Sequence, residues 1–304
     1  MTEQHFLTIP QTAVGISLDR AAVAASEQNT ADFTGLRGGC LAPFLIKYGR
    51  RIGKTVIIIT VDTASARTLH RDLVYHFGGS SPENAVLLFP AYDLTPYDEM
   101  IPERRFALLR AEAAYKSAMS KSVRFIVVSA DTIARRMMPK EAFLRDSFEI
   151  SFGNRIDRDL LFRQLERCRY YRTPLVEEPG TFAARGSLLD IFPPDLAQPV
   201  RIDFFGSEVE RIREFDSDTQ LGGLELESVN LYPIQLNLIP QEVENRAVIV
   251  ERLRNLCDSV NQPSTKTSQL IDDILGGKLL FSQDRYLPAY YDNLETLFDY
   301  FPCD

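Results

Sequence analysis

Two kinds of hydrophobic patterning divide the chain. Through its first half, short β-branched runs alternate with stretches of helical periodicity. Thr55–Val61 (TVIIITV), Ala85–Phe89 (AVLLF) and Arg124–Ser129 (RFIVVS) predict buried strands. Leu41–Tyr48, Thr63–Phe77 and Arg104–Met119 predict helices, the second with Thr63 as its cap and the third introduced by Pro102 and Glu103. Asp131 opens a further short helix ending at Pro139, and residues 1–30 read as a lead-in with one Ala-rich helix near Arg20–Ala25. Short apolar strands alternating with helices predict a parallel sheet covered on both faces.

The pattern changes near residue 146. Phe148–Phe152 predicts a strand and Asp157–Tyr170 a single amphipathic helix. Strands then follow one another at Thr181–Pro193, Pro199–Phe205 and Val209–Asp216, joined by turns at Pro194–Gln198 and Gly206-Ser207. Such short turns imply antiparallel pairing and a compact α+β module. Beyond Pro233 helical spacing returns in Ile249, Val250, Leu253, Leu256, Cys257 and Val260, followed by a polar linker, Asn261–Ser268, and a short helix. The tail Tyr286–Pro302 (YLPAYYDNLETLFDYFP) reads as core packing, because few Lys or Arg interleave with its rings. The fold class expected is α/β: a parallel-sheet lobe over 31–145, an inserted antiparallel α+β module over 146–233, and a return to the lobe over 234–304.

Composition narrows the function classes. A length of 304 residues is about two domains' worth. The balance of 34 basic against 42 acidic residues, net −8, is unsuited to gripping nucleic acid over a broad face, which needs clustered Lys and Arg. Cys40, Cys168, Cys257 and Cys303 form no C-x-x-C pair, so they read as free thiols in a reducing compartment rather than as zinc ligands or a disulfide framework. His70 and His76 are six apart on a predicted helix and face different ways, and His5 is the only other histidine. A metal pair and a His-dependent hydrolase are thereby disfavoured. Asp190, Asp203, Asp216 and Asp218 read as strand and turn carboxylates rather than as a Mg²⁺ site. There is no 18-residue apolar run and no basic-then-apolar start, so neither a membrane span nor a secretory signal is read, and the expected location is cytoplasmic.

Two glycine-bearing segments bear on nucleotide binding. Gly53-Lys54-Thr55 lacks the upstream glycine of a phosphate loop, that position being Tyr48, and it precedes a strand instead of opening a helix. It reads as a turn. Thr34-Gly35-Leu36-Arg37-Gly38-Gly39-Cys40 is better placed, directly before the helix at Leu41. Aligned on the T-G-x-G-K-T pattern of a RecA-type helicase, it has Gly38 in place of the lysine and Gly39 in place of the Mg²⁺-binding hydroxyl. Phosphates then lose their ammonium partner and the metal loses a ligand; Arg37 is a cation one position early. Thr34, Gly35, Arg37, Gly38 and Gly39 therefore read as a degenerate phosphate loop that binds no nucleotide.

The antiparallel module carries a more specific signal. Thr181–Pro193 (TFAARGSLLDIFP), Val200–Phe205 (VRIDFF) and Glu210–Asp216 (ERIREFD) resemble domain 2 of UvrB and of the Mfd family of transcription-repair coupling factors. Phe89–Pro102 (FPAYDLTPYDEMIP), Val127–Met138 (VVSADTIARRMM) and the aromatic tail resemble Mfd rather than UvrB, as does a degenerate phosphate loop. The resemblance covers residues 30–304. It implies a helicase-like lobe that has lost nucleotide binding, a UvrA-recruiting module, and a non-catalytic adaptor role in transcription-coupled nucleotide excision repair. It also implies that RNA polymerase binding and ATP- and Mg²⁺-dependent DNA translocation belong to modules beyond this chain, with no cofactor here. On this basis the chain is either a fragment of a longer protein or a naturally short relative.

The resemblance places UvrA contacts on Arg185, Arg201 and Phe205. The residues agree: along Arg201–Phe205, Ile202 and Phe204 share one face, and Arg201, Asp203 and Phe205 the other. A hairpin through Pro194–Gln198 is expected to bring Arg185 near the Phe205 end. Arg and aromatic side chains are the types enriched at interface hot spots. Set against this, Arg201 could simply pair with Asp190 or Asp203, and Phe205 could be a core residue. Two other functions compete: an ATP-binding helicase domain with an atypical loop centred on Arg37, and a direct binder of damaged DNA. The acidic balance and the lack of an aromatic hairpin insertion disfavour the latter.

Overall fold

The computed structural model describes residues 13–27, 32–33, 36, 38–78, 82–91, 103–120, 122–240, 243–276 and 283–301. The strands are β1 (Val56–Thr60), β2 (Val86–Leu88), β3 (Phe125–Ser129), β4 (Phe148–Ser151), β5 (Tyr171–Arg172) and β6 (Thr181–Arg185). They continue with β7 (Leu188–Ile191), β8 (Val200–Phe205), β9 (Glu208–Phe215), β10 (Gly222–Glu225) and β11 (Ser228–Leu231). The fold is mixed α/β, with parallel and antiparallel sheets in two units: residues 1–91 with 116–135, and residues 92–115 with 136–304.

The first unit holds a parallel sheet in the order β1-β3-β2, with Val56 and Val86 both opposite Phe125. Every residue of the central strand β3 is buried. Helices Leu41–Ile52 and Thr63–Phe77 pack on it through Ala42, Ile46, Ala66, Leu69 and Leu73, and helix Ala13–Ser26 adds Leu18, Ala22 and Ala25 against Phe44. Thr63–Phe77 has the predicted ends, but its cap is Asp62, not Thr63. The Asp62 carboxylate accepts from the Ser65 N–H at 2.7 Å, and that bond holds its pKa below the ordinary value. Gly53 ends Leu41–Ile52 in the left-handed conformation, its N–H donating to Gly49 O, so Gly53-Lys54-Thr55 is a helix stop followed by a strand. The helix predicted from Asp131 to Pro139 stops early, at Ala130–Ile133, and a second short helix, Lys140–Arg145, begins only after Pro139. Between them Met137 bridges Glu295, and Pro139 holds extended backbone ahead of the second helix.

The second unit is built on a six-stranded sheet, β10-β9-β8-β7-β6-β5, antiparallel except for β5 with β6, and on the antiparallel pair β4–β11. The predicted single strand Thr181–Pro193 is in fact the hairpin β6–β7. Gly186, at φ +56, and Ser187 form the two-residue turn, glycine taking that left-handed backbone more readily than any residue with a Cβ. Helix Arg158–Arg167 covers one face of the sheet. Its Leu161 and Leu165 meet Phe182, Leu189, Ile191, Val200, Ile202, Phe204 and Ile212 in the main core. The Asp157 carboxylate caps this helix by accepting from the N–H groups of Asp159 and Leu160. β5, β10 and β11 were not anticipated: they are two to four residues long and exist through pairing with longer neighbours.

Helix Arg104–Met119 joins this sheet at its N-terminal end. Leu108 packs on the core, and the Arg104 guanidinium lies 4.6 Å from the Tyr171 ring centroid while Nη2 donates to Pro179 O at 2.9 Å. Gly180, at φ +77, permits this approach: a Cβ there would lie 2.8 Å from Ile234 Cδ1 and 3.0 Å from Arg104 Nη2 and Leu108 Cδ2. The aromatic tail packs as expected, with Tyr290, Tyr300 and Phe301 buried and the Tyr300 hydroxyl donating to Met138 O. Cys168 is wholly buried, its thiol donates to Asp146 O, and burial pushes its pKa up to about 12. Among the described residues no helix is long and apolar enough to cross a membrane.

Gly180→Ala should cost about 1–3 kcal/mol of unfolding free energy through overpacking and the left-handed backbone, measurable by urea denaturation. Cys168 should resist maleimide labelling at pH 7.5 in the native chain, since its thiolate is absent and its sulfur buried. It should react on unfolding in guanidinium, with peptide mass spectrometry as the readout.

Candidate functional site: an Arg–Phe face of the six-stranded sheet

Antiparallel register assigns each side chain of the sheet to a face. The core face carries Ala184, Leu189, Ile202 and Ile212 in one cross-strand row. On the other face, Ala183, Asp190, Arg201 and Arg213 form one row, and Arg185, Leu188, Asp203 and Arg211 form the next. A small apolar patch of Val176, Ala183, Phe192 and Phe215 lies beneath the first row. The face is thus a charged layer spread over a minor apolar cluster.

Arg201 is the centre of that layer. Its Nε and Nη2 donate to the two carboxylate oxygens of Asp190 at 2.7 and 2.8 Å, and Nη2 also donates to the side-chain oxygen of Gln220 at 3.0 Å. The guanidinium carbon lies 4.4 Å from the Phe215 ring centroid. The side chains of Arg201 and Asp190 are only 14% and 3% exposed. Arg201 sits directly opposite Arg213, so two like charges share one row; Asp190 answers the first, and Asp203, 3.6 Å away, the second. The fork with Asp190 raises the Arg201 pKa above its ordinary value, against the opposing effect of burial.

The other two predicted residues lie on this face toward one end. Phe205 is 77% exposed beyond a β-bulge at Asp203/Phe204, where Phe204 turns inward opposite Val209. Arg185 is exposed at the end of β6, and its Nη2 donates to Pro174 O at 2.9 Å. The expected route was wrong in one respect. The turn at Pro194–Gln198 joins β7 to β8, so β7 separates Arg185 from β8, at about 10 Å for two strand spacings. Arg185 and Phe205 still lie at the same end of the face, because Arg185 pairs Leu188 and Leu188 pairs Asp203.

Gln220 was missed by sequence reasoning. It follows a turn in which Asp216 accepts from the N–H groups of Asp218 and Thr219 and from the Thr219 hydroxyl, bonds that hold the Asp216 pKa down. The available signal was the D-x-x-T-Q spacing after a strand, an Asx-turn pattern.

Of the proposed phosphate loop, Thr34, Gly35 and Arg37 lie outside the described residues. Gly38 and Gly39 are exposed in a single 3₁₀ turn, Gly38–Cys40, ahead of Leu41–Ile52. His70 is tied to Val86 O at 3.1 Å. Among the described residues no three His, Cys, Asp or Glu side chains are grouped to hold a metal. Chemically the face can offer arginine N–H groups not spent within the sheet, and an exposed ring, to acceptor and apolar groups of another surface.

Comparison with known proteins places this module in a class. The family model of the UvrB interaction domain matches residues 148–236, the span of the six-stranded sheet and its helix. Over most of its length the chain is similar to the transcription-repair-coupling factors. It is 32% identical over 269 residues to that of Myxococcus xanthus and 26% identical over 306 residues to that of Escherichia coli K12, covering 88% and 100% of this chain. It spans 22% and 24% of those relatives' lengths. A lesser match is the UvrABC system protein B of Gloeothece citriformis, 27% identical over 286 residues, 84% of this chain and 42% of that protein.

Asp190→Ala should cost about 3–5 kcal/mol in denaturant unfolding, because it leaves the Arg201 charge enclosed without its counter-ion. Phe205→Ala, at an exposed position, should stay within about 0.5 kcal/mol of the parent.

Proposed function

We propose that the chain is a non-catalytic adaptor that docks UvrA, through Arg185, Arg201 and Phe205, during transcription-coupled nucleotide excision repair. One observation carries the reading: these three side chains share one face of a sheet that lies within a UvrB interaction domain. The exposed ring supplies apolar area at the end of the face, and the N–H groups of Arg201 and Arg185 not spent within the chain supply donors for acidic groups on UvrA. In this reading residues 146–233 are the UvrA-binding module, and the loop at Thr34–Gly39 binds no ATP. RNA polymerase contact and ATP-driven translocation on DNA fall to the remaining length of the longer relatives.

The test is binding of UvrA to the chain and to an Arg185→Ala/Arg201→Ala/Phe205→Ala variant by calorimetric titration. Binding should be lost in the variant while circular dichroism retains the parent fold; unchanged affinity in a folded variant overturns the assignment. Single truncations should each cost at least about 2 kcal/mol of binding, the arginines more at low salt. Micromolar binding of Mg²⁺–ATP to the parent chain would instead favour a nucleotide-binding domain.

A further inference from the structure

We infer that Gln220 and Asp190 are positioning residues that hold the Arg201 guanidinium with one nitrogen turned out to a partner's acceptor. The inference rests on the reading of Arg201 as a partner contact and adds Gln220, which the sequence did not single out.

The guanidinium has five N–H groups on three nitrogens. Asp190 takes Nε and Nη2, and Gln220 takes Nη2 again. Nη1 enters no hydrogen bond among the described residues and is not enclosed. Phe215 lies against the guanidinium at 4.4 Å and the side chain is 14% exposed, so the group has little freedom to swing. A donor held still with N–H groups unspent forms a bond to a partner without first losing rotamer entropy.

Gln220 is itself held in place. Its φ is +59, a left-handed conformation that is strained for a non-glycine residue. The Gln220 N–H donates to Asp216 O at 2.8 Å, and the Asp216 N–H donates to Leu221 O. The side-chain amide donates to Ser217 O at 2.8 Å, which aims the amide oxygen at Arg201. Glycine would suit this backbone better, yet the residue present is one whose side chain spans from the turn to Arg201. A strained turn that delivers one acceptor to one buried-edge guanidinium is the signature of a positioning device.

The experiment compares UvrA affinity and thermal midpoint for Gln220→Gly, Asp190→Asn, Arg201→Ala and the double variant Gln220→Gly/Arg201→Ala. Gln220→Gly relieves the backbone, so its midpoint should equal or exceed the parent's, while affinity falls about three- to tenfold. Asp190→Asn keeps the shape but loses the charge of the fork, and its affinity loss should be at least as large. In the Arg201→Ala background Gln220→Gly should change affinity no further, a non-additivity that a merely structural role would not produce. Full affinity in Gln220→Gly, or equal losses with and without Arg201, overturns the positioning role while leaving the docking face intact. Full affinity in Arg201→Ala overturns the docking role of Arg201 itself, whatever Gln220 does.

Discussion

The forked pair of Asp190 and Arg201 governs the outer face of the six-stranded sheet. The core face is covered by helix Arg158–Arg167, but the other face has only the small cluster around Phe215 beneath it. A guanidinium laid over that ring would be destabilising without a carboxylate beside it, and a carboxylate 3% exposed would be so without the guanidinium. Each makes the other tolerable. Together they turn a weakly apolar surface into a fixed layer of charge, and Asp203 with Arg213 continues it along the next strand pair.

The same layer explains how an acidic chain can carry an arginine-rich face. The net charge is −8, yet the rows across β6 to β9 place Arg185, Arg201, Arg211 and Arg213 on one face. Several of these charges are already engaged, Arg211 by Glu225 and Arg213 by Asp203. Recognition by such a face depends on geometry and on a few unspent donors, with Phe205 supplying apolar area at its end. Bulk charge, which governs loose association with nucleic acid, describes a different kind of surface.

Sequence periodicity was a good guide where a face repeats within one element. Ile202 and Phe204 point inward and Arg201, Asp203 and Phe205 do not, as alternation on a strand requires. Helix Thr63–Phe77 and helix Arg104–Met119 have the expected ends, because their boundaries are local events of capping and composition. The hairpin inside Thr181–Pro193 was missed because one apolar run hid the turn at Gly186, and β10 because Gly-Gly-Leu-Glu carries no apolar alternation.

What the sequence alone determined is the alternation: which residues of each strand can share a face, so that Arg201, Asp203 and Phe205 lie opposite Ile202 and Phe204. Tertiary structure decided what those residues do there. Arg201 meets Asp190 across 11 residues and Gln220 across 19, through strand register and a left-handed turn that no local pattern specifies. A guanidinium can pair with any carboxylate within reach. Which carboxylate that is, and which nitrogen remains turned outward, depends on how β7, β8 and the turn after β9 come to lie side by side.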